Sequence, residues 1–138
     1  KKHFEKRPNF TFYHQDALTF IKGHKTPYKF TKILCYGAFS YFKHKKAKKI
    51  LTLISKIYPG IEKLYIGNVP DKNLVELFLK DKNYRIDVND FNSPFGIWRT
   101  KSEFQKLASE TGWDSTFLNM KSEYYASYYR YDVLLTKK

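Results

Sequence analysis

The chain has 138 residues, enough for one domain with a real core but small for an α/β enzyme. Apolar residues make up 42%, including 12 Tyr and 12 Phe, which excludes a disordered tail. The balance of 26 Lys and Arg against 13 Asp and Glu gives +13, a pull toward polyanions that keeps nucleic acid among the partner classes.

In chain order, residues 1–8 are polar and basic and read as a helix end or a loose lead-in, broken at Pro8-Asn9. Phe10-Thr-Phe-Tyr-His-Gln15 alternates and is rich in β-formers, which predicts a strand. Asp16 follows it; an acid there either caps the next turn or accepts from a ligand amine. Ala17, Leu18, Phe20 and Ile21 predict a short helix stopped near Gly23, and residues 22–29 a loop. Ile33-Leu34-Cys35 lies in a strand over 30–35 that breaks at Gly37 into a small, aromatic turn. Ligands of open α/β sheets sit at such carboxyl ends.

Ala47, Ile50, Leu51, Ile54, Ile57 and Tyr58 recur at helical spacing, with Lys45, Lys46, Lys48, Lys49 and Lys56 mostly on the other side. Pro59-Gly60 ends that helix, Leu64-Tyr65-Ile66 is the next strand, and residues 67–71 the turn at its tip. A short helix is expected over 73–79, then a polar excursion over 81–94 in the manner of a lid. Thr100 and Glu103 form a capping box, Phe104, Leu107 and Ala108 point inward, and Gly112 stops the helix. Residues 113–119 and 127–136 read as strands joined by a loop, hence an antiparallel pair. The expectation is one α/β domain over 1–138, with a mostly parallel sheet and an antiparallel edge hairpin at its C-terminal end.

The lone cysteine, Cys35, lies in an apolar run, so no disulfide framework exists and a reducing, cytoplasmic setting is expected. No run approaches the roughly 20 apolar residues of a membrane span, so neither a span nor a signal peptide is expected. The scattered histidines and single cysteine offer no metal set.

From about Phe10 to the C-terminus the order and spacing resemble class I, Rossmann-like methyltransferases that use S-adenosylmethionine. Residues 9–17 look like the family's third strand with its adenine-side acid, and 30–42 like its fourth strand and tip, with Thr31 where an acid is usual. Pro59-Gly60, Leu64-Tyr65-Ile66 and Gly67-Asn68 look like a helix end and fifth strand, and Thr111-Gly112-Trp113 like a late helix close. The glycine-rich turn after the first strand is absent, so the chain is similar to the C-terminal two-thirds of such an enzyme, a three-layer αβα fold without its N-terminal strands. Strand edges left unpaired by that absence predict a homodimer.

The resemblance implies S-adenosylmethionine as cofactor, held by Asp16, Ala17, Cys35, Tyr36, Gly37 and Phe39. Aromatic faces attract a sulfonium, which makes Tyr36, Phe39, Tyr41 and Trp98 candidate walls. His14 and His44 are the nearest candidate bases for a hydroxyl acceptor, and each also reads as a surface or capping histidine. Asn68 would orient the acceptor, and Tyr124, Tyr128 and Arg130 would shape its pocket or pack the last hairpin. Lys, Phe, Tyr and Asn usage suggests an AT-rich bacterial genome, where the resemblance implies small-molecule or surface-polysaccharide sugar acceptors. Two rivals stand beside that reading: a basic, aromatic nucleic-acid-binding module and a non-catalytic methyltransferase-like domain.

Overall fold

The structure, a computed structural model, describes residues 9–138; the reading of residues 1–8 as a lead-in lies outside the described residues. Four strands form one sheet in the order β1-β2-β4-β3: β1 (Lys32–Tyr36), β2 (Lys63–Pro70), β3 (Trp113–Asn119) and β4 (Arg130–Lys137). β1 and β2 are parallel, and β4 runs antiparallel to both β2 and β3. Three strands therefore share one direction and β4 alone opposes them, with the β3–β4 hairpin at the edge as expected.

Helix α1 (Ala17–Gly23) packs against α2 (His44–Ile57), while α4 (Lys101–Ser109) packs against β3. The α2 stripe of Ala47, Ile50, Leu51 and Ile54 is buried as its spacing predicts, against Leu64, Ile66, Val133 and Leu135 of the sheet. The capping box is formed in full: Thr100 Oγ1 accepts from the Glu103 amide at 3.0 Å, and Glu103 Oε2 accepts from the Thr100 amide at 2.8 Å. The opposite sheet face leaves Leu34 and Tyr36 exposed, so two of the three layers are present in the described residues. Among the described residues no helix is long and apolar enough to cross a membrane.

Two segments differ from expectation. Residues 10–15 form no strand; Tyr13 instead sets its ring edge-on to Phe20 at 5.0 Å. Tyr13 and Gln15 share a cavity with the edge strand β1 but form no ladder with it, and a strand without a ladder is only an extended segment. Residues 67–70 are not a turn but the second half of β2, continued through a bulge at Gly67-Asn68, where the β2–β4 register shifts. Asn68 takes φ +68 to make that bulge.

The excursion over 81–94 is pinned rather than loose. Asp87 and Asp90 each accept from the amide two residues on, at 2.8 Å, and the Trp98 amide donates to Val88 O at 2.8 Å. Ile86, Val88 and Phe95 then pack on a second small core of Phe78, Trp98, Ala126 and Tyr129 beside α3 (Val75–Leu79).

Candidate functional site

The tips of β1 and β2 adjoin. The Gly37 amide donates to Gly67 O at 3.0 Å, and the Asn68 amide nitrogen Nδ2 lies 3.6 Å from where a Cβ on Gly37 would sit. Gly37 takes φ +67, the left-handed turn that lets the chain leave β1 and enter the Phe39–Tyr41 turn, whose Phe39 and Ser40 are buried. Along the free edge of β1 runs a largely apolar cavity of about 560 Å³, lined by Ala17, Ile33, Cys35, Tyr36, Phe39 and Ile50 among others. Its volume falls in the range of small-ligand sites, roughly 300–1,000 Å³.

Of the expected cofactor residues, Ala17, Cys35, Tyr36 and Phe39 line this cavity and Gly37 forms the adjoining tip. Asp16 does not join them. It caps α1, with Oδ1 accepting from the Leu18 amide at 2.9 Å and Oδ2 from Lys46 Nζ at 2.6 Å. The Lys46 hydrogen bond, then the Leu18 amide, hold this exposed carboxyl below its ordinary range. Burial pushes the Cys35 thiol up, so it is a protonated wall rather than a nucleophile. Iodoacetamide at neutral pH should therefore label native Cys35 more slowly than the urea-unfolded chain, as mass spectrometry would read; equal rates would refute a shielded, half-buried thiol.

Neither expected base is among the cavity's lining residues: His14 is exposed, and His44 opens α2 and lines a second cavity of about 480 Å³ with Arg99, Glu103 and Lys106. Trp98 is also not a wall of the β1 cavity. It is 1% exposed and stacks on Tyr129 at 5.5 Å, a core role set by its burial. Tyr41 donates to Pro94 O at 2.6 Å, and Tyr124 and Tyr128 are exposed. Arg130 Nη1 donates to Asn68 O at 2.8 Å, its guanidinium 4.9 Å from the Tyr129 ring.

Two residues were not singled out from the sequence. Asp132 is buried on β4, accepting from the Asn68 amide at 2.7 Å and from the Tyr65 hydroxyl. An acid inside the apolar run Tyr131-Asp-Val-Leu-Leu135 was the available signal, because a buried carboxylate requires donors.

No family model matches the sequence, and no curated protein matches it. Solved structures do. The magnesium protoporphyrin IX methyltransferase ChlM from Synechocystis PCC 6803, crystallised with bound SAH, superposes with TM-score 0.60 at 15% identity, over 93% of this chain and 51% of that one. The small RNA methyltransferase HEN1 gives TM-score 0.60 at 10% identity, over 80% of this chain and 14% of that one. The methyltransferase domain of bacterial CtHen1 gives 0.58 at 12% identity, over 92% and 60%. The chain thus has the Rossmann-like fold of these methyltransferases, and it spans less than two thirds of the length of each.

Proposed function

We propose that this chain is the C-terminal, acceptor-side portion of an S-adenosylmethionine-dependent methyltransferase acting on a small-molecule or sugar hydroxyl. The observation that carries the reading is the apolar cavity beside the adjoining β1 and β2 tips, in a fold shared with methyltransferases. The cavity walls fit the cofactor's apolar adenine and its sulfonium, which aromatic faces attract. Ala17, Cys35 and Phe39 would hold the ring, Gly37 would allow close backbone approach, and Tyr36 would face the sulfonium. The polar end of the cofactor finds Gln15 and Lys32 at this cavity, and no glycine-rich turn in the sequence.

The cofactor when bound supplies an electrophilic methyl group, and the protein's part is placement and exclusion of water. Phe39, 2% exposed, lines the cavity. Asn68, fixed at its backbone by Asp132 and Arg130, would orient the acceptor, with Tyr41, Tyr124, Tyr128 and Arg130 as its rim. The cavity takes up the β1 edge, so we read a second copy pairing at β3, the other edge strand, as the homodimer contact.

Calorimetric titration of S-adenosylhomocysteine into the full-length protein tests the reading; absence of binding removes it. Tyr36→Leu should weaken S-adenosylmethionine relative to S-adenosylhomocysteine by about 0.5–1 kcal/mol, roughly two- to fivefold, since only the former carries the sulfonium. An equal change for both would remove Tyr36 from the sulfonium site. The charge of +13 and the exposed rings of Tyr124, Tyr125 and Tyr128 favour a second reading, a nucleic-acid acceptor or ligand. Oligonucleotide binding that falls steeply with salt would select it.

A further inference from the structure

The open sheet face holds one buried acid in a built arrangement. Asp132 is 8% exposed in the middle of β4, and both carboxylate oxygens are engaged, Oδ1 by the Asn68 amide and Oδ2 by the Tyr65 hydroxyl. Asn68 sits at φ +68, while Arg130 holds its carbonyl. Both peptide groups of this strained residue are therefore fixed by β4, and such strain persists only where its surroundings hold it.

The Tyr65 hydroxyl donates to Asp132, which leaves its oxygen lone pairs to accept a hydrogen bond. Burial, then the Asp132 hydrogen bond and charge, push the phenol well above its ordinary range, so Tyr65 keeps its proton. A Cβ on Gly67 would lie 2.4 Å from the Tyr36 ring and 2.9 Å from the Tyr65 ring, so both rings meet over that glycine. Tyr65 therefore stands beside the β1 tip that the cavity adjoins. The charged and titratable groups around the pair are Tyr36 from β1, Tyr124 from the loop before β4, and Arg130. Tyr36 and Tyr124 expose 54% and 55% of their surface.

We propose, resting on the methyl-transfer reading, that Tyr65 is a catalytic residue receiving the acceptor's hydroxyl proton and Asp132 the positioning residue that takes the phenolic proton in turn. The acceptor is accordingly a neutral, hydroxyl-bearing ring. Its oxygen bonds the methyl carbon while sulfur keeps the electron pair of the bond that breaks. The acceptor's proton passes to Tyr65 and the Tyr65 proton to Asp132. A sulfonium, a hydroxyl and a carboxylate thus become a thioether, a methyl ether and a carboxylic acid, with charge balanced. An oxygen gaining a third bond is strongly acidic, so a carboxylate suffices as the final base.

The test uses the full-length protein, methyl-labelled S-adenosylmethionine, and catechol and thiophenol as probes. Tyr65→Phe keeps the ring and Asp132→Asn keeps an acceptor oxygen for the Asn68 amide. Each should lower kcat on catechol by about 100-fold with KM little changed. Thiophenol, which ionises unaided, should lose far less. Equal losses on the two probes, or undiminished catechol turnover in Tyr65→Phe, overturn the relay. Wild-type protein that binds S-adenosylhomocysteine yet methylates neither probe overturns the relay and leaves the cofactor reading standing. Failure to bind S-adenosylhomocysteine overturns both.

Discussion

Trp113→Ala should cost about 3–5 kcal/mol of folding stability and lower the melting temperature by roughly 10–20 °C. Trp113 opens β3 with none of its surface exposed, and its indole Nε1 donates to Leu51 O of α2 at 3.1 Å. One side chain therefore ties the edge strand to the helix covering the sheet, through both area and a polar contact. Deleting it removes the largest class of buried side chain and leaves a cavity that α2 and α4 can only partly close. Set against about 5–15 kcal/mol for a typical domain, the loss brings the fold near its limit. Trp113→Phe retains most of the apolar area and gives up the hydrogen bond, so about 1–2 kcal/mol is expected. Urea midpoints of the two variants check the ranking; Trp113→Ala unfolding with the wild-type midpoint would refute it.

What the sequence made legible was what local chemistry decides. Thr100 and Glu103 announced α4 because capping needs only residues three apart, and the α2 stripe is visible because period 3.6 is written along one segment. The edge hairpin followed from two β-rich runs joined by a loop. The failures lie where a second segment decides. Residues 10–15 carry strand-like alternation, but a strand is a pairing, and this segment forms no ladder with the β1 edge it shares a cavity with. Gly67-Asn68-Val69-Pro70 has turn residues, yet β4 continues alongside and converts them into a bulge. Asp16 could be read two ways: the cap it forms on α1 is local and was legible, whereas Lys46, 30 residues on, which engages its second oxygen, was not. The Tyr65–Asp132 pair spans 67 residues, a contact that no local pattern encodes.

Gly96→Ala should be far more damaging than Gly23→Ala, although each adds a single methyl group. Gly96 takes φ +66, where an L side chain costs about 1–2 kcal/mol. The added Cβ would also stand 2.7 Å from Ser40 O and 2.8 Å from Ser40 C, both backbone atoms that no rotamer change can move. Ser40 is itself fixed, because its carbonyl accepts from the Ile97 amide at 2.8 Å and its turn holds the buried Phe39. Relief must come from parting residues 96–97 from the turn at the β1 tip, so an overall loss of about 2–5 kcal/mol is expected. The same movement shifts Phe39, a wall of the cavity, so on the proposed reading S-adenosylhomocysteine binding should weaken at temperatures where the variant is still folded. Gly23→Ala is the internal control: no atom lies within 4 Å of its added Cβ and it ends α1, so stability should hold or rise by up to about 1 kcal/mol. Equal urea midpoints for Gly96→Ala and Gly23→Ala would show that the Ser40–Ile97 contact does not hold the β1 tip in place.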